Sequence, residues 1–253
     1  MKRLVILLAA TLLPIFASAQ AQINTKKVKI SDFTQKTTMV VLSGNMFYDT
    51  ALEDEIVARW KASPYGFCSV EEFEQLKGSE EYYFLLTTKG QFKKEAEPGL
   101  QFMTLVKGGP KAEGGIAEML EVVSLPIASA EDPSGRETVF LPVFLDIIQE
   151  QALESMESDI SGYTGLSNYS LNLHKTEDMI IVFSEDDLST EITDAVKELN
   201  FDDEMIIAEE EDADEYLSNE TQNAVVSYVA APTDAKPGSY CYKMLIDNHS
   251  HKL

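Results

Sequence analysis

The sequence predicts an α+β chain of two tandem, similar lobes, each a small mixed sheet with two helices. Three observations predict it. Short β-branched or aromatic runs bounded by turn residues alternate with helical stripes. The order of those elements in the first half returns in the second. Hydrophobic residues make up 44% of the 253 residues, with 12 Phe and 10 Tyr, which is enough apolar surface for packed cores and excludes a disordered chain.

The first lobe is expected over 37–130. Thr37 to Ser43 reads T-T-M-V-V-L-S, a buried strand broken by Gly44 and Asn45. Thr50-Ala51-Leu52-Glu53 has the form of a capping box, and Tyr48, Leu52, Ile56 and Trp60 then recur at helical spacing until Ser63-Pro64. Tyr65 to Cys68 is a short strand. Ser69-Val70-Glu71-Glu72 is a second capping box, opening a helix that turns Val70, Phe73 and Leu76 inward and stops at Gly78. Tyr82 to Thr88 and Leu100 to Val106 are strands, with Pro98-Gly99 turning the chain between them. Gly108-Gly109 and Gly114-Gly115 flank a hairpin connection, and Ile116 to Ile127 returns as its partner.

Residues 131–170 read as a helix and connector. Val139 to Met156 carries the helical pattern, Pro142 fits its first turn, and 158–170 is rich in Ser, Gly, Tyr and Asn. The second lobe, 171–253, repeats the first. Met179 to Ser184 stands for the strand at Met39. Ile192, Ala195, Val196 and Leu199 stand for the first helical stripe, and Glu204 to Ile207 for the short strand. Glu215-Tyr216-Leu217 stands for Glu74-Gln75-Leu76, Ala224 to Ala230 for the Tyr82 strand, and Pro237-Gly238 for Pro98-Gly99. The offset is near-constant, about 140 positions. The last hairpin strand has no counterpart in the second copy.

The first residues give the chain an address. Met1-Lys2-Arg3, an apolar run from Leu4 to Ala17 and the closing Ala17-Ser18-Ala19 are the marks of a cleavable secretory signal over 1–19, with an extension over 20–36 before the first lobe. A mature protein in the periplasm, or secreted, is the expectation, with no later segment of membrane-spanning length. The 20 basic and 43 acidic residues leave a net charge of −23, a surface that repels nucleic acid and anionic membranes. In an oxidising compartment Cys68 and Cys241 can form a disulfide, or they can stay as two packed thiols.

Residues for chemistry are scarce. G-x-S-x-G, S-x-x-K, G-x-G-x-x-G and G-x-x-x-x-G-K-[ST] are all missing, so no catalytic residue and no cofactor is predicted. With 43 acids, no carboxylate pair for a hydrolase can be singled out. The acidic run Glu209 to Glu215 reads as a solvated helix face rather than a cation site, because hard cations need convergent oxygens. Asp247, His249 and His251 form D-x-H-x-H. On a strand the two imidazoles share one face, and with the carboxylate they have the donor types for Zn²⁺. Asn248-His249-Ser250 is also a formal glycosylation sequon.

At the residues M-V-V-L-S…W-x-x-x-x-Y-x-F-x-S-V-E-E-F-E-x-L…Y-Y-F-L-L the chain resembles uncharacterised exported proteins of Gram-negative bacteria. The strand–helix–strand–helix–strand order is similar at fold level to the amino-terminal, anticodon-binding-like domain of TolB. The signal, the paired lobes and the missing catalytic motifs point to a non-enzymatic protein-interaction or envelope-assembly module, whose partner is another envelope or secreted protein or a second copy of the chain. The alternative expectation is a small-molecule or glycan binder using the cleft between lobes, with Tyr48, Tyr65 or Tyr163 lining it. A hydrolase is the third.

Overall fold

The computed structural model describes residues 30–93, 95–157, 173–176, 178–199 and 205–253. The expected signal, most of the 20–36 extension, the 158–170 connector and Tyr163 lie outside the described residues.

The chain is α+β and holds two mixed sheets. In the first, β1 (Thr37–Val41) lies parallel to both β2 (Tyr65–Cys68) and β3 (Tyr82–Gly90). Then β4 (Leu100–Lys107) pairs antiparallel with β3, and β5 (Leu120–Ser129) antiparallel with β4, giving the order β2-β1-β3-β4-β5. In the second, β6 (Ile180–Ser184) lies parallel to β7 (Met205–Ala208) and β8 (Ala224–Ala230), and β9 (Tyr242–Asp247) pairs antiparallel with β8, giving β7-β6-β8-β9. The second order is the first without β5. The repeated sequence pattern thus folds into one repeated topology.

Helix α1 (Met46–Arg59) buries Leu52 and Ile56 as the stripe predicts, but it begins earlier than the expected capping box. Asn45 is its N-cap, accepting from Phe47 N and Tyr48 N, while the Thr50 hydroxyl turns back to Met46 O at 2.8 Å. Helix α2 (Val70–Leu76) carries the predicted capping box on Ser69 and Glu72 and buries Phe73. Val70 is 48% exposed and takes no part in the core. The first lobe also begins before Thr37: Ile30 and Phe33 are fully buried, and Phe33 meets Tyr83 edge-on at 5.0 Å.

A short helix, α3 (Arg136–Val139), leads into α4 (Leu141–Glu157), with Pro142 in the first turn of α4 as predicted. Helix α4 buries Leu141, Val143, Phe144, Leu145, Ile147, Ile148 and Ala152, which take up more than half of its circumference, and leaves Leu153, Glu154 and Glu157 exposed. It packs on α1 and on β5, while Phe140 and Phe144 meet Tyr228 of β8 at 4.4 and 5.3 Å. The two lobes therefore share one continuous core, in which Val182, Val226 and Ile246 of the second sheet join Ile56, Leu105 and Ile127 of the first. Gln149 of α4 closes the end of α1: its side-chain oxygen accepts from Lys61 N at 2.6 Å and Ala62 N at 3.1 Å.

In the second lobe α5 (Thr190–Leu199) takes the place of α1, but the first residues of its predicted stripe do not reach the core. Ile192 is 42% exposed and Ala195 is exposed, for no helix equivalent to α4 packs over them among the described residues. Helix α6 (Glu210–Ser218) takes the place of α2 and buries Ala213 and Leu217 against the sheet. Among the described residues no helix is long and apolar enough to cross a membrane.

The lobes are pinned by one cation. Arg136 of α3 donates from Nε and Nη2 to Asp214 of α6 (3.0 and 2.7 Å), from Nη1 to Asp187 (3.1 Å) and from Nη2 to Ser227 O (2.9 Å). Its guanidinium also lies 5.0 Å from the Phe140 ring and 5.2 Å from the Tyr228 ring. Burial alone would lower the Arg136 pKa, but the two carboxylates outweigh it and raise it. The Tyr228 hydroxyl donates to Ile127 O across the same junction. R136M removes the cation and leaves two acids in a dry interface. It should cost about 3–5 kcal/mol in urea unfolding, and R136M/D187N/D214N should recover much of that loss.

A second charge site fixes the amino-terminal segment. Asp32 accepts from Lys107 Nζ at 2.8 Å and from the Tyr83 hydroxyl at 2.6 Å, and pairs with Lys36 at 3.1 Å. Burial would raise its pKa, but the hydrogen bonds from Lys107, Tyr83 and Lys36 win and hold it down at about 2. A carboxyl depressed below its unfolded value of about 3.9 gives its full stabilisation above that value and loses it as pH falls toward 2. D32N should therefore be less stable than the parent at neutral pH, and the difference should shrink between about pH 4 and 2 in an acid titration followed by circular dichroism.

Candidate functional site

Helices α1 and α4 cover one face of the first sheet, and α2 covers part of the other. The uncovered remainder of that second face, over β3, β4 and β5, is the floor of a groove of about 1410 Å³. The loop between β4 and β5 forms one bank, the β3–β4 connection at Lys89 to Phe92 forms another, and Tyr242 of β9 reaches in from the second lobe.

Strand alternation sets the floor. Phe102, Thr104 and Val106 of β4 share this face, and the register places Ser124 of β5 opposite Thr104. Thr88 Oγ1 and Thr104 Oγ1 are 3.0 Å apart, and Thr104 Oγ1 and Ser124 Oγ are 2.8 Å apart, so three hydroxyls form a chain across three strands. A hydroxyl offers one proton and two lone pairs, so this chain keeps both donor and acceptor capacity. Thr104 is only 3% exposed, so its hydroxyl lies at the bottom of the groove.

The register then shifts. Leu105 pairs with Val123, but Val106 pairs with Glu121, so Val122 is an extra residue in β5. The bulge sends Val122 and Val123 together into the core and turns Glu121 onto the groove face, where strict alternation would have buried it among apolar side chains. Glu121 is half-buried and accepts no hydrogen bond from any described side chain. Burial alone pushes its carboxyl above the ordinary range. At one end of the groove Phe92, Phe102 and Tyr242 form an aromatic wall, with Phe102 and Tyr242 edge-on at 6.2 Å and Phe92 and Phe102 at 6.3 Å. Tyr240 backs Phe92 at 4.1 Å.

Two close approaches hold this shape. A Cβ at Gly90 would lie 2.5 Å from the Phe102 ring, and one at Gly108 would lie 2.2 Å from the Ser79 carbonyl oxygen. Gly108 also donates its N–H to Tyr82 O at 2.9 Å, anchoring the loop that forms the bank.

The residues singled out in the sequence fall elsewhere. Strand β9 ends at Asp247, and 248–250 form a turn, so His249 and His251 do not share a strand face. The Asp247 carboxylate instead accepts from His249 N (3.1 Å) and Ser250 N (2.6 Å), shaping the turn. His251 has a positive φ of 54° and places Nδ1 2.8 Å from Asp146 of α4, which also pairs with Arg59 at 3.3 Å. Among the described residues no group of three or more His, Cys, Asp or Glu side chains converges to hold a metal ion. Asn248 is fully buried, so it cannot serve as a glycosylation acceptor in the folded chain.

Both cysteines are free, Cys68 buried at the end of β2 and Cys241 exposed. Burial, and then Glu72, pushes the Cys68 thiol up to about 11, and burial also raises that of Cys241, so neither is an activated nucleophile. The run Glu209 to Glu215 is the start of α6, and its one deeply buried acid, Asp214, is Arg136's partner. Tyr48 packs against the core, its hydroxyl pushed up to about 12 by burial, and Tyr65 sits on the edge strand β2. The inter-lobe junction is filled by Arg136, Phe140, Phe144 and Tyr228, so the open concavity lies over the first sheet instead.

Comparison with protein-family models, with curated proteins and with solved structures gives no match for this chain.

Glu121 carries a charge that no described side chain compensates. E121Q should raise the melting temperature at neutral pH. Because the folded pKa is raised, the penalty of the charge is present above it and vanishes as pH falls toward the unfolded value of about 4.3, so the gain should disappear near that pH in thermal melts.

Proposed function

We propose that this chain is a non-catalytic binding protein that works outside the cytoplasm and takes its ligand in the groove over the first sheet. The observation that carries the reading is Glu121. A bulge turns a half-buried carboxylate, without a partner among the described side chains, into a large groove, beside hydroxyls with spare bonding capacity. Buried polar groups left unpaired destabilise a fold, and binding sites are where that cost is offset by a ligand. The extracytoplasmic placement rests on the signal-like first 19 residues. The absence of catalysis rests on the raised thiols and on the exposure of the other groove carboxylates, Glu80 and Glu118, which lack the burial that tunes a general acid.

The test uses the protein purified from a Gram-negative host that exports it, with its mature amino terminus sequenced. A cocktail of small polar and aromatic fragments is titrated while backbone amide shifts are followed. Perturbation of amides around Thr88, Thr104, Glu121 and Tyr242 is expected, together with a mature terminus near Gln20. Perturbations confined to other surfaces would overturn the site, and turnover of a fragment at the groove would overturn its non-catalytic character.

A protein-interaction or envelope-assembly role is a second reading, favoured by Met46 and Phe47. These adjacent side chains are 74% and 86% exposed at the start of α1. With the net charge of −23, the occupant they fit is an exported protein bearing an apolar pocket ringed by Lys or Arg. Crosslinked co-purification should recover such a partner with the parent chain and lose it with M46S/F47S. Equal recovery with both would remove this patch from the account.

A further inference from the structure

Resting on the groove as the binding site, we propose that its ligand is a neutral carbohydrate chain, with sugar hydroxyls on the Thr88–Thr104–Ser124 row and Glu121 and a sugar ring against the half-buried Phe92 and Tyr242 of the aromatic wall, which the buried Phe102 backs. Four properties of the site select this chemistry. The floor both donates and accepts, as a partner bearing many hydroxyls requires, and Glu121 adds an acceptor that needs a donor. The wall is apolar and aromatic, suited to the C–H face of a sugar ring. At about 1410 Å³ the groove exceeds the usual volume for one drug-sized ligand, roughly 300–1000 Å³, and is open along one side, so it fits several linked rings.

The same features disfavour other ligands. An extended peptide gains affinity by pairing with an open strand edge; β3 and β4 are already paired on both sides, and β5, the edge strand of this face, has its ladder broken by two register shifts. An anionic ligand would meet Glu121 on the floor, and the groove's three lysines, Lys89, Lys107 and Lys111, are matched by Glu80, Glu118 and Glu121, so the lining as a whole favours a neutral ligand.

The exported, processed protein is titrated with linear hexasaccharides of α-1,4-glucose, β-1,4-glucose, β-1,4-xylose, β-1,4-mannose and β-1,4-N-acetylglucosamine, read by calorimetry and by backbone amide shifts. At least one should bind in the micromolar to millimolar range and shift amides around Thr88, Thr104, Ser124 and Tyr242. Its affinity should be nearly the same at low and high salt, because no charge pair forms. E121Q should weaken it about tenfold, which is about 1.4 kcal/mol, while keeping the folded spectrum. Y242A should weaken it without changing the salt response. If the groove amides respond to the fragment cocktail but to none of the saccharides, the carbohydrate assignment falls and the groove remains a binding site. If the groove responds to neither, both fall. Saccharide binding that shifts only amides elsewhere, or that E121Q and Y242A leave unchanged, also overturns the assignment.

Discussion

A helix that is apolar over more than half of its circumference cannot be covered by one neighbour alone, and α4 is such a helix. Leu141, Val143, Phe144, Leu145, Ile147 and Ile148 need cover from more than one side, which α1, β5 and the second sheet provide together. The two lobes are therefore not independent. The first sheet supplies one wall around α4, Tyr228 of the second supplies another, and Gln149 ties α4 back to the end of α1. The Arg136 cluster sits where α3 delivers the chain into this helix, so the charge pairing and the apolar packing fix the same junction.

Use of α4 by both sheets explains how the copies differ. The first sheet has a fifth strand, β5, whose core face packs on α4, and α1 packs on α4 as well. The second sheet stops at β9 and meets the shared core through Val182, Val226 and Ile246. Strand β5 also changes what the other side of the sheet can do. An edge strand with two register shifts need not keep strict alternation, and its bulges let Val122 and Ile127 enter the core while Glu121 and Pro126 share a face with Val106 and Phe102.

Much of the fold was legible in the sequence because it follows from local pattern. The Ser69 capping box, the strand at Tyr82, Pro142 in the first turn of α4 and the repeated order all obey spacing rules that need no knowledge of the partner element. The failures have physical reasons. Asn45 captures the start of α1 because its side chain accepts from Phe47 N and Tyr48 N, a turn before the N–H groups that a cap at Thr50 would have satisfied. The stripe of α5 is helical, but a periodic pattern does not supply a covering helix. His249 and His251 lie in a turn because Asp247 bonds the next backbone N–H groups and ends the strand. The groove was not legible at all. A bulge moves Glu121 across the sheet, and only register, not composition, shows it. Phe102 and Tyr242 look like ordinary strand aromatics until the lobes are packed together.

The treatment of acids separates scaffold from site. Asp49 is buried and receives Ser43 N, Ser43 Oγ and Gly44 N, each at 2.8 Å. Asp187 and Asp214 share Arg136, and Asp32 is held by Lys107 and Tyr83. In each case the fold brings donors to a carboxylate that it has partly dried, as stability requires. Among the described residues Glu121 is dried without that provision. Its shift has burial alone behind it, and the surface it faces is open enough for a ligand to bring the missing donors. A chain with 43 acids could place a neutral side chain at this position at no cost to its charge or solubility. The carboxylate is therefore best explained by something outside the fold, and the hydroxyl row beside it shows the kind of hydrogen bonding that such a partner would share.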